Sequence, residues 1–196
     1  MTKKVKVAVL ISGRGSNMQS LVRASETPDF PAEIILVLSN KSDAPGLEFA
    51  KSKGIKTAFI NHKDFSSRED FDKKMHEELE KFGAEIICLA GFMRLLSPWF
   101  VDKWFNRLIN IHPSLLPEFK GADAVGDAIK AKAKKSGCTV HFVREEMDSG
   151  PIIKQAEVLV SENDTKETLA AKILQKEHEI YPQALKEICN TKKQIS

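Results

Sequence analysis

Two hydrophobic rhythms alternate along this chain. Short apolar runs are followed by longer stretches in which apolar residues recur every three to four positions. Residues 5–12 (VKVAVLIS) are β-branched, end at Gly13 and predict a strand. A helix is expected over 18–24, a strand over 33–39, and a helix over 44–53 that stops at Gly54. Residues 57–60 read as a short strand. Residues 66–82 read as a long helix, with Ser66 and Glu69 at capping-box spacing. Strands are expected over 85–90 and 107–111, a helix over 124–135, strands over 139–143 and 152–159, and a closing helix over 165–188. The order implies an α/β fold of Rossmann-like type, a mostly parallel twisted sheet with helices on both faces. The last two strands have no helix between them, so antiparallel strands are expected near the C-terminus.

Composition narrows the class. The 196 residues are 42% hydrophobic and 29% charged, which suits one globular domain with a real core. No apolar run is long enough for a membrane span. Lys3, Lys4 and Lys6 precede an apolar run too short for a signal peptide, so a cytoplasmic protein is expected. The net charge of +3 argues against nucleic acid as partner. Lysines cluster at Lys130, Lys132, Lys134 and Lys135, and again at Lys192 and Lys193, with no interleaved aromatics to stack bases. They read as a solvated helix face and a frayed tail. Cys88, Cys138 and Cys189 make no metal-ligand spacing, and Cys88 and Cys138 sit in apolar runs, as core thiols do.

In open parallel sheets, ligands bind at the carboxyl ends of the strands, and three such ends carry unusual residues. After the first strand comes Ser12-Gly13-Arg14-Gly15-Ser16-Asn17, a glycine turn into a helix. Its N–H groups suit a monophosphate, with Ser16 and Asn17 available to cap the helix or to donate to phosphate oxygens. Met18 replaces the third glycine of a dinucleotide fingerprint, and no Walker lysine follows. A ligand-free tight turn has the same pattern. Asn110 and His112 are two apart on a strand and therefore share a face, opposite Ile109 and Ile111. An amide and an imidazole converging on one point suit an acyl oxyanion, and a purely structural pair is the alternative. Asp148 lies in the turn Asp148-Ser149-Gly150, where a carboxylate can orient an imidazole and raise its pKa, or simply make the turn. Glu177 falls inside the apolar stripe of the closing helix and needs a partner, either a protein cation or a ligand amine. No serine or cysteine occupies a nucleophile elbow, which points to direct acyl transfer.

These stretches also carry a resemblance. Residues 11–17 (ISGRGSN), 89–98 (LAGFMRLLSP), 110–117 (NIHPSLLP) and 177–182 (EHEIYP) are similar, in that order, to the folate-dependent phosphoribosylglycinamide formyltransferases. The resemblance runs through nearly the whole chain. It implies a single formyltransferase domain over 1–196, with a nucleotide-binding half (1–105) and a catalytic and folate-binding half (106–196). It implies Asn110, His112 and Asp148 as the catalytic trio. Gly15, Ser16, Asn17 and Glu177 would hold the ribonucleotide. Arg68, Met93, Arg94, Leu95, Leu96 and Asn110 would hold 10-formyltetrahydrofolate, with the 144–148 loop bordering the pterin. The implied partners are these two small molecules, without metal, nucleic acid or membrane, in a monomer or a homodimer. Residues 121–128 (GADAVGDA) depart from the family pattern in lacking a histidine.

Three other readings compete. A formyltetrahydrofolate hydrolase shares the trio, but would carry an extra N-terminal domain and need neither the phosphate loop nor Glu177. A dinucleotide oxidoreductase would want a third loop glycine and an acid ending the second strand, where this chain has Ser39-Asn40. A non-catalytic nucleotide-binding module would have no use for the trio.

Overall fold

Residues 3–195 are described by a computed structural model, with side chains described as far as residue 192. The strands are β1 (Val5–Ile11), β2 (Ala32–Ser39), β3 (Lys56–Phe59), β4 (Ile86–Leu89), β5 (Leu108–His112), β6 (Lys135–Phe142) and β7 (Ile152–Leu159). The helices are α1 (Ser16–Ser25), α2 (Pro45–Ser52), α3 (Arg68–Lys81), α4 (Pro98–Lys103), α5 (Ala124–Lys130) and α6 (Lys166–Ile195). One seven-stranded sheet runs in the order β3-β2-β1-β4-β5-β6-β7. Its first five strands are parallel; β6 and β7 are antiparallel to their neighbours. The sheet is therefore mixed, as the missing helix before the last strand predicted.

Strand β1 shows why both faces are covered. Val7, Val9 and Ile11 enter one core with Met18, Leu21, Ile173 and Tyr181, while Ala8 and Leu10 enter the other with Phe71, Met75, Phe100 and Trp104. Alternate residues point to opposite faces, so a strand apolar at every position from Val7 to Ile11 must be packed on both. The Tyr181 hydroxyl donates to the carbonyls of Leu89 (2.8 Å) and Ile109 (3.3 Å), which ties α6 to β4 and β5.

Several boundaries differ from expectation. Helix α5 ends at Lys130, short of residue 135, because Lys132 turns left-handed (φ 50°) and the N–H groups of Lys132 and Ala133 return to Ile129 and Ala128. That is a glycine-type helix stop without a glycine, so the residues give little warning of it. Residue 135 starts β6 instead. Ser67, not Ser66, caps α3, its Oγ accepting the Asp70 N–H at 3.1 Å. Helix α4 was not anticipated, although Ser97 caps it and Pro98 occupies its first turn. Helix α6 continues through Ile195, and Lys192 pairs with Glu85 at 3.3 Å, so a frayed tail at Lys192 is not what the structure shows; the Lys193 side chain lies outside the described residues. All three cysteines are buried, and no helix among the described residues is long and apolar enough to cross a membrane.

Candidate active site

The carboxyl ends of β4 and β5 open into a cleft of about 490 Å³. Asn110, His112, His141 and Asp148 form one wall. Register explains the grouping. Asn110 and His112 share a face of β5, and antiparallel pairing sets His141 of β6 opposite Asn110. Beyond β6 the chain turns through Asp148, which adopts a left-handed φ of 52°. Asp148 Oδ2 lies 3.4 Å from His112 Nδ1, and Oδ1 lies 3.6 Å from His141 Nε2. The Gly121 N–H also donates to Oδ2 at 3.0 Å. Burial pushes the Asp148 carboxyl up, but the two imidazoles and the Gly121 N–H outweigh it and hold the group below the usual carboxylate value.

His112 is only 6% exposed at its side chain. Its Nε2 is 2.9 Å from the Phe119 carbonyl, which can only accept, so this nitrogen carries a proton. Its Nδ1 faces a carboxylate. The loop supplying the carbonyl is itself held. The Thr139 hydroxyl donates to Ser114 O (2.7 Å) and accepts the Leu116 N–H (3.1 Å), and Gln155 donates to Leu116 O (2.9 Å). Phe119, however, sits at φ 51°, a conformation costly for a bulky residue.

Met93, Arg94, Leu95 and Leu96 also line the cleft, as do Arg144 and Met147. Arg68 is exposed in the first turn of α3 and does not line this cleft. The phosphate-loop residues lie beside the cleft, at the end of β1. Gly15 is the N-cap of α1 in a left-handed conformation (φ 67°), and no side chain caps the helix. This corrects the capping role expected of Ser16 and Asn17. The first N–H groups of a helix have no intrahelical acceptor, so those of Ser16 and Asn17 point outward toward the turn. The Asn17 side chain is engaged elsewhere, its Nδ2 donating to Glu177 Oε2 at 2.7 Å. The partner of Glu177 is thus an amide, not a cation. Burial pushes the Glu177 carboxyl up to about 6, against the pull of that hydrogen bond. The close approach that a third loop glycine would give comes from α2, where the Gly46 N–H donates to Gly13 O at 3.1 Å.

The formyl transferase family profile matches residues 5–185. This chain belongs to the formyl transferase family. Its sequence is 42% identical to the phosphoribosylglycinamide formyltransferase of Escherichia coli, over 91% of this chain and 84% of that protein. It is 49% identical to the trifunctional purine biosynthetic protein adenosine-3 of Gallus gallus over 99% of this chain, and spans about a fifth of that longer relative (19%). A solved phosphoribosylglycinamide formyltransferase from Brucella melitensis superimposes with a TM-score of 0.91 at 48% identity, covering 95% of this chain and 96% of that one. In this formyl transferase the sequence reading passed over one residue of the polar cluster, His141. Its signal was the alternation of Thr139 and His141 within an apolar strand, two polar residues on one face. Only the β5–β6 register reveals that this face meets Asn110.

Proposed function

We propose that this formyl transferase moves the formyl group of 10-formyltetrahydrofolate to the amine of 5-phosphoribosylglycinamide, a step of purine (IMP) synthesis in the cytoplasm. The carrying observation is the convergence of Asn110, His112 and Asp148 in one cleft lined also by Met93, Leu95 and Leu96, with an Asn17–Glu177 pair joining α1 to α6. The names of the relatives support the same substrates. Residues 1–196 act as a single domain, since β4 and β5 pair across the boundary between the two halves.

In this mechanism the ribonucleotide phosphate sits on the N–H groups of Gly15, Ser16 and Asn17, and Glu177 holds the glycinamide portion. The segment Met93, Arg94, Leu95 and Leu96 holds the folate, with Asn110 reaching its formyl end and Arg68, outside the cleft, left for whatever part of the folate extends beyond it. The amine attacks the formyl carbon, and a C–N bond forms as the carbonyl oxygen becomes an oxyanion. Asn110 Nδ2 and the His112 imidazolium donate to that oxygen. For His112 to do so, its Nε2–H exchanges the Phe119 carbonyl for the oxyanion, and the strained Phe119 loop is where this exchange is accommodated. The bond to the folate nitrogen then breaks. The proton lost by the attacking nitrogen reaches the leaving nitrogen through water held by Asp148. Fixing both substrates in one cleft supplies much of the acceleration.

The test is a two-substrate assay that follows deformylated folate by absorbance, with and without the ribonucleotide. Product only in its presence supports the transferase. Equal deformylation without it makes the protein a hydrolase and removes the role given to Glu177.

A further inference from the structure

Two buried polar side chains bracket the segment on which the folate site rests. At the end of β1, Ser12 is 5% exposed. Its hydroxyl donates to Asn40 Oδ1 at 2.6 Å, and its oxygen accepts the backbone N–H of Met93 at 2.8 Å. Asn40 is also buried, and its Nδ2 lies 3.3 Å from His62 Nδ1. On α3, Asp72 is fully buried, and its Oδ2 accepts the backbone N–H of Ser97 at 2.6 Å. Ser97 then caps α4, its Oγ accepting the Phe100 N–H at 3.3 Å.

Between these two bonds run Met93, Arg94, Leu95 and Leu96, in neither helix nor strand. All four line the cleft, and Met93 (75%) and Leu95 (56%) are among the most exposed large apolar side chains of the molecule. Of the four, only Leu96 packs against an apolar core, so the position of the rest of the segment depends on its ends. Asp72 is an expensive way to hold one end. A buried carboxylate is seldom worth its desolvation in stability alone. Burial raises its carboxyl above the ordinary value, against the Ser97 hydrogen bond and the charges of Arg68 and Arg94. Its second oxygen, Oδ1, is buried without a hydrogen-bond partner.

We infer that Ser12 and Asp72 are positioning residues for the folate substrate, pinning the two ends of the 93–96 segment so that its apolar side chains and Arg94 face the cleft before the substrate arrives. The inference rests on the folate reading above. Preorganisation of this kind improves affinity by removing the ordering cost from the binding step. Because Ser12 also leads into Gly13 and the phosphate loop, one hydroxyl joins the entrances of both substrate sites.

The variants are Ser12→Ala, Asp72→Ala and Asp72→Asn, which keeps an acceptor oxygen for Ser97. Two readouts are taken: amide hydrogen exchange of residues 91–97 in the ligand-free protein, and steady-state kinetics with 10-formyltetrahydrofolate and the ribonucleotide. Both alanine variants are expected to speed exchange across the segment and to raise the folate KM roughly tenfold, with kcat within about threefold. In Asp72→Ala the ribonucleotide KM should stay within about twofold, and Asp72→Asn should keep the folate KM within roughly threefold of wild type. Unchanged exchange would show that these bonds do not hold the segment. Faster exchange with an unchanged folate KM would show that holding it does not matter. An equal rise in both KM values in Asp72→Ala, or no recovery in Asp72→Asn, would also overturn the inference. A wild-type protein with no saturable dependence on folate would sink the folate reading itself, and is told apart because it shows in the unsubstituted enzyme.

Discussion

Glu177 shows how a single residue can be placed for function against stability. Its carboxyl rises from an ordinary 4.5 to about 6, because burial disfavours the anion more than the Asn17 amide favours it. Between those two values the folded state binds more protons than the unfolded state, so this group lowers stability as pH rises through the window. The gap is worth about 2 kcal/mol. Glu177→Gln removes the charge and keeps the Asn17 contact. Its stability advantage in urea denaturation should therefore grow from small at pH 5 to about 2 kcal/mol at pH 7.5. Asp148 titrates with the opposite sign, since its carboxyl is held low, and it cancels in this comparison. An advantage that does not change with pH would mean that the Glu177 carboxyl is not perturbed. The same substitution should weaken ribonucleotide use. In the cleft itself, Asn110→Ala and Asp148→Asn should each lower kcat by about 10²-fold or more, with far-ultraviolet circular dichroism unchanged. Near-normal kcat in both would remove them from the chemistry.

At the scale of elements, what decides function is how closely they approach. Helix α2 starts against the phosphate loop, and a Cβ on Gly46 would lie 2.5 Å from Ile11 Cδ1, 3.1 Å from Gly13 O and 3.2 Å from Arg14 O. The isoleucine tip can move, but the two carbonyls belong to the loop backbone. Gly46→Ala should accordingly displace the loop and raise the ribonucleotide KM by roughly tenfold, with a smaller effect on the folate KM. Equal effects on both would point to general loosening. At the end of α5, Lys132 holds a left-handed conformation that glycine adopts without strain. Lys132→Gly should raise stability by roughly 0.5–1 kcal/mol in urea, without touching activity. Neither of these two sites is legible in the residues, unlike other helix ends, for a physical reason. Ser-Pro before α4 and Gly54 after α2 are local signals that residues display directly. The end of α5 and the α2–loop contact come from packing, and local chemistry does not announce them.

For the whole molecule, the proposed ribonucleotide site joins the first helix to the last, because Asn17 belongs to α1 and Glu177 to α6. A ligand that bridges them stabilises the fold by mass action, about 2.7 kcal/mol at a hundredfold excess over its Kd. Thermal unfolding with increasing ribonucleotide should show a rising Tm in the wild type and a much smaller rise in Glu177→Gln. Equal rises would place the ribonucleotide elsewhere.

The sequence by itself determined the α/β class, the parallel run of strands, the antiparallel end and the covering of both sheet faces, because hydrophobic period and turn chemistry are local properties written residue by residue. It also marked Asn110, His112 and Glu177 as residues out of place in their surroundings, while Asp148 read on the residues alone as an ordinary turn residue. Only the tertiary structure decided what they meet. The β5–β6 register brought His141 to Asn110 and Asp148, the packing of α1 on α6 gave Glu177 an amide instead of a cation, and the ends of β1 and α3 set Ser12 and Asp72 at either end of one loop. Apart from His141 and Asp148, seven residues apart, those partners are separated by 25 to 160 residues of chain, and at such distances only the assembled fold determines which side chains touch.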